Sequence, residues 1–108
     1  MSAAVVYISI GNSDDKLSQA AWSEFYKAVS HAVHEAANAQ FGAVHGQWVS
    51  EPVSAWQNAC WALQLPVDIN VIADLKDELA GLARGFGQES IAWAVAPETE
   101  FIGPGDEL

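Results

Sequence analysis

The chain holds one cysteine, Cys60, and three histidines, His31, His34 and His45, so its scope for nucleophilic or metal chemistry is narrow. Residues 42–50 and 55–63 read as two strands flanking the turn-forming run Glu51-Pro52-Val53-Ser54. If this hairpin closes with Ser50 opposite Ala55, His45 faces Cys60 and Gln47 faces Asn58 on the same side. A cysteine beside a histidine, with an amide in reach, is the arrangement that forms a thiolate and orients its base. Cys60, His45 and Asn58 are therefore the catalytic candidates. Their meeting depends on register, because a slip of one residue sends the two side chains to opposite faces. The competing reading makes Cys60 a small hydrophobe between Trp56 and Trp61, where free cysteines usually serve. The sequence favours that reading, and with it a protein that is not an enzyme.

His31 and His34 stand three apart on a helical pattern, with Glu35 adjacent. Two imidazoles at this spacing share a helix face and can take a metal if a carboxylate completes the set. Both also fall on the polar side of the helical wheel, near Glu24 and Lys27, which fits a solvated face without metal. Gly11-Asn12-Ser13-Asp14-Asp15 joins a strand to a helix, a place where phosphate loops occur. It lacks the glycine spacing of such loops, and two aspartates repel phosphate. Asp14 and Asp15 would suit Mg²⁺ as hard oxygen ligands, or simply complement a helix N-terminus. No cofactor motif is present, and none is expected.

These residues are carried by a regular series of elements. Residues 3–10 alternate as a strand, with Val5, Tyr7 and Ser9 on one face and Val6, Ile8 and Ile10 on the other. Ser18 is a candidate N-cap, with Leu17 and Trp22 placed as a hydrophobic staple. Trp22, Phe25, Val29, Val33 and Ala36 then trace the apolar stripe of a helix over 19–39. After the hairpin, Pro66 closes the second strand and Asp68 caps a second helix. Ile72, Leu75, Leu79, Leu82 and Ala83 form its stripe, and Gly85 and Gly87 stop it. A last strand over 90–96 alternates Ile91, Trp93 and Val95 with Ala92, Ala94 and Ala96. Residues 1–97 thus make one domain, followed by an acidic tail over 98–108 in which most positions are mobile.

The order β-α-β-β-α-β predicts an α+β two-layer sandwich of the ferredoxin-like type, with four antiparallel strands and both helices on one face. Such a sheet should carry polar residues on its open face, yet these strands are apolar on both parities. A homodimer is the simplest cover, the tail, a partner protein or a ligand being the others. Trp22, Trp48 and Trp93 read as core, whereas Trp56 and Trp61 sit on opposite parities, so one of them should face outward as an interface anchor beside Tyr7.

Charge narrows the partners. Fourteen acids against four bases give a net of −10, and the sequence pI is about 4.3. Direct nucleic-acid binding and anionic membranes are excluded by this balance. Asp74, Asp77 and Glu78 on the second helix suit a basic protein partner. The leading expectation is an acidic interaction module, in one form an inhibitor that occupies the nucleic-acid-binding surface of another protein. The alternative is a small-molecule-binding protein or small enzyme using the outer sheet face around Tyr7, His45 and Cys60. Met1 to Val6 lacks a basic region followed by a long apolar run, so the expected location is cytoplasmic.

Overall fold

The computed structural model describes residues 3–12, 16–39, 42–51, 56–66, 68–96, 100 and 102–105. Asp14 and Asp15, the turn residues 52–55, and Glu98, Asp106 and Glu107 lie outside them. The elements run β1 (Ala3–Gly11), α1 (Gln19–Ala39), β2 (Ala43–Val49), β3 (Asn58–Pro66), α2 (Ile69–Gly85) and β4 (Ala92–Ala96). They form a four-stranded antiparallel sheet in the order β2-β3-β1-β4. This is the α+β ferredoxin-like sandwich that the element order predicts.

Local sequence explains where the helices begin and end. The Ser18 hydroxyl accepts from the Ala21 amide at 3.1 Å, and Leu17 and Trp22 are both buried, as a staple requires. The Asp68 carboxylate accepts from the amides of Asn70 and Val71, satisfying two donors at the start of α2. At the other end of α2 the Gln88 amide reaches Ala83 O at 2.8 Å and the Gly87 amide reaches Arg84 O at 3.2 Å. These two bonds are the pair that ends a helix through a left-handed residue. Gly87 fills that position with φ at +67°, where a Cβ would be strained. The chain is thereby turned back along α2 into residues 88–91.

The core lies between the helices and the inner face of the sheet. Val6, Ile8 and Ile10 of β1 and Trp61, Leu63 and Leu65 of β3 meet Trp22, Phe25, Val29 and Val33 of α1 and Leu75 and Leu79 of α2. Tyr26 stacks on Trp61, ring centroids 5.4 Å apart. Fully burying side chains of this size contributes about 1.5–3 kcal/mol each. The first helical stripe is wider than its large residues suggest, because Ala32 and Ala37 are buried as well.

Gly81 stands on the exposed side of α2 with open space around its Cα. Gly81→Ala should therefore stabilise the fold by about 0.5–1 kcal/mol, since alanine favours the helix and nothing opposes the methyl group. A urea midpoint at or below that of the parent chain would contradict this.

A second device ties the loops together at one end of the sheet. Asn12 is buried, and its amide nitrogen donates to Leu17 O at 3.0 Å and to Gln57 Oε1 at 2.9 Å. Its oxygen accepts from the Leu17 amide at 2.9 Å. Gln57 in turn donates to Gln19 Oε1 at 2.7 Å. The Asn12 amide also reaches Gln57 O at 2.8 Å. Every polar group of the buried Asn12 side chain is thus used, as burial demands.

Candidate functional site

The hairpin register decides what the catalytic candidates can do. Cα partners across β2 and β3 include Trp48 with Cys60, Gln47 with Trp61 and Val49 with Ala59, with a register shift between Val44 and Gly46. Trp48, not His45, therefore lies opposite Cys60. His45 sits at the irregularity, where its Nε2 is 3.0 Å from Gln64 Oε1. Gln64 lies four residues from Cys60, about 13 Å along the strand. Asn58 donates its side-chain amide to Trp56 O at 2.8 Å, back into its own loop. The three residues are not brought together, which corrects the Cys–His–amide arrangement that stood as the alternative to a packing role for Cys60. The physical reason is that β2 and β3 close from Ser50 and Asn58, not from Ser50 and Ala55, which moves Gly46 to Val49 three residues along β3; Trp56 and Gln57 precede that first pair.

The helical histidines also part company. His31 Nε2 lies 3.3 Å from Glu35 Oε1, an exposed pair. His34 Nε2 lies 2.9 Å from Gln47 Oε1, and Gln47 donates to Tyr26 Oη at 2.8 Å. Gln47 thus faces α1, not the outer sheet face. Among the described residues, no group of three or more His, Cys, Asp or Glu side chains is placed to hold a metal.

What the strands do assemble is the outer face of the sheet. Opposite pairs run Ser9–Cys60, Tyr7–Ala62 and Val5–Gln64 between β1 and β3. Tyr7–Ala94 and Ser9–Ala92 continue them onto β4, and Trp48–Cys60 and Gly46–Ala62 onto β2. Tyr7 is 39% exposed and Trp48 59%. The Trp48 ring leans over Gly46, within 3.6 Å of where its Cβ would stand. Ala92 and Ala94 are exposed beside Tyr7, and Cys60 is half-buried between Ser9 and Trp48. No Asp, Glu, Lys or Arg occupies the outward positions of the four strands. The chain's charge is carried entirely by the helices, the loops and the segments outside the strands.

The aromatic assignments change accordingly. Trp61 is wholly buried on the inner face, so it is core and no interface anchor; its indole nitrogen meets no acceptor among the described residues. Trp56 is 68% exposed but precedes β3, outside the sheet. Trp48, expected in the core, is the large aromatic of the outer face. Only the true register could have revealed it, since a three-residue shift exchanges the faces. Trp93 is half-buried on the inner side, with Lys76 Nζ 5.1 Å from its ring centroid. Asp74, Asp77 and Glu78 are all exposed on one side of α2.

Tyr7, His45 and Cys60 line none of the three grooves defined by the described residues, although one of these reaches Ser9 and Ala92 at the end of the outer face. No helix among the described residues is long and apolar enough to cross a membrane. No protein-family model and no curated protein matches this sequence, so what the surface does must be argued from its own residues.

Proposed function

We propose that this protein is a non-catalytic interaction module: two copies join through their outer sheet faces and present acidic helices outward to a basic partner. The observation that carries this reading is the distribution of charge. In a chain of net −10, the outer face of all four strands carries no Asp, Glu, Lys or Arg and exposes Tyr7, Trp48, Ala92 and Ala94. A second copy suits such a face, because symmetric pairing brings no charges together and leaves the acids at the periphery. A basic protein gains nothing there, but finds Asp74, Asp77 and Glu78 side by side on α2. The surface blocked on that partner is then one that would otherwise meet another polyanion, such as nucleic acid.

Geometry sets the strength of the pairing. Four strands about 4.8 Å apart and of this length give a flat footprint on the order of 400–500 Å². Side-chain relief raises the accessible area, which places the pair near the lower end of standard interfaces, about 1,200 Å² in total. Association is therefore reversible and concentration-dependent.

Sedimentation of the purified chain across a dilution series tests the proposal. A mass of twice 11.5 kDa that falls to the monomer on dilution is the expected result. Capture of basic proteins that weakens as salt rises is expected of the helical surface. A monomer at every concentration overturns the first half, and salt-independent capture overturns the second.

A further inference from the structure

Independently of that reading, the geometry points to a ligand site on the other side of the molecule. We propose that the groove between α2 and residues 88–93 binds a small organic anion with a flat apolar body, of the aromatic carboxylate class. The groove is open along one side and offers about 510 Å³, within the range of small-molecule sites. Leu79, Ala83, Ile91 and Trp93 make its apolar lining, Lys76 and Arg84 stand on it as well, and the one acid on it, Glu89, is paired with Lys16 at 3.5 Å.

The cations carry the argument. The chain has only four Lys and Arg. Lys16 pairs with Glu89 at 3.5 Å, and Lys27 stands 4.0 Å from Glu24. The other two, Lys76 and Arg84, both line this groove. Arg84 makes no ion pair among the described residues, and Lys76 lies over the face of Trp93 rather than beside an acid. In a molecule of net −10, the two cations without a carboxylate partner among the described residues therefore converge on one cleft, whose single lining acid, Glu89, faces Lys16. Lys76 and Arg84 are eight residues apart on α2, about 12 Å along its axis, which brackets a molecule of one or two rings.

Each part of the ligand has a counterpart. The flat body lies against Leu79, Ala83 and Ile91, next to Trp93, where burial of apolar area supplies affinity. The carboxylate meets the planar guanidinium of Arg84, which can donate two parallel hydrogen bonds to it. The Lys76 ammonium, held near the indole face, adds a second positive charge. The chain turn at Gly87 fixes the far wall by returning residues 88–91 alongside α2.

Titration with 1-naphthoate, followed by the NMR resonance of the Trp93 indole N–H, tests this; Trp93→Phe assigns the signal. The expected result is a saturable shift of that resonance by 1-naphthoate, with binding about tenfold weaker in Arg84→Gln and also weakened in Lys76→Gln. Both side chains are exposed, so neither change threatens the fold. The neutral analogue 1-naphthalenemethanol should bind about tenfold more weakly to the parent chain and equally to Arg84→Gln. No shift at Trp93, equal affinity for the neutral analogue, or naphthoate shifts confined to the Trp48 indole on the sheet face would each overturn the proposal.

Discussion

Replacing Gly42 by alanine is expected to destabilise the fold by about 3 kcal/mol, read as a fall in the urea midpoint of unfolding. Gly42 stands at the joint between α1 and β2, and its amide donates to Ala37 O at 2.8 Å. A Cβ there would overlap the carbonyl oxygen of Gln64 and lie 3.3 Å from its carbonyl carbon and 3.5 Å from Ala37 O. All three atoms belong to the backbone, so no change of rotamer relieves the contact. Relief requires either lifting the start of β2 from β3, where Ala43 pairs with Gln64, or opening the joint with α1. Gly46→Ala is the matched control: its Cβ would meet the Trp48 ring at 3.6 Å, ordinary contact with a side chain. That change should cost less than about 1 kcal/mol. Equal midpoints for the two variants would show that the close approach at Gly42 is not a constraint.

The architecture was legible because its signals are local. The stripe from Trp22 to Val33 and the cap at Ser18 specify α1 without reference to the rest of the chain. Asp68 and the pair Gly85 and Gly87 do the same for α2. The apolar character of both sheet faces was also readable, since alternation depends on each strand alone. The alanines at 92, 94 and 96 lie on the outer face, as their parity implies.

The hairpin register was not legible, and the candidate site failed with it. A turn over 51–54 is the economical reading of Glu51-Pro52-Val53-Ser54, and it places His45 against Cys60. The observed pairing instead continues only to Ser50 and Asn58, whose amide and carbonyl meet at 2.9 Å. Gln57 stands ahead of that first pair, and its side chain meets Asn12 from 45 residues away. No periodicity within residues 42–63 carries that contact. The consequence is large because three is odd: His45 and Gln47 leave the positions expected of them, and Trp48 comes to the open face. The anion groove was hidden differently. Lys76 and Arg84 share a helix face by spacing alone, but their approach to Ile91 and Trp93 depends on the chain reversal after α2.

Placing a glutamate at Ala94 is expected to weaken self-association at least a hundredfold while leaving the fold intact. Ala94 is exposed on β4, opposite Tyr7, so the monomer can hold a carboxylate there in water at a cost of no more than about 0.5 kcal/mol. In the paired state the same carboxylate must be buried against an apolar face, and two-fold symmetry supplies a second one nearby. Desolvation and like-charge repulsion together cost several kcal/mol, and about 2.7 kcal/mol already corresponds to a hundredfold change. Ala73→Glu adds the same charge on the exposed surface of α2, away from the sheet. Its longer-range repulsion is screened at physiological salt, so it should sediment like the parent chain. Sedimentation of the two variants side by side separates contact from net charge. If Ala94→Glu dimerises as the parent does, the copies do not meet through this face. If both variants dissociate equally, total charge and not the sheet surface governs assembly.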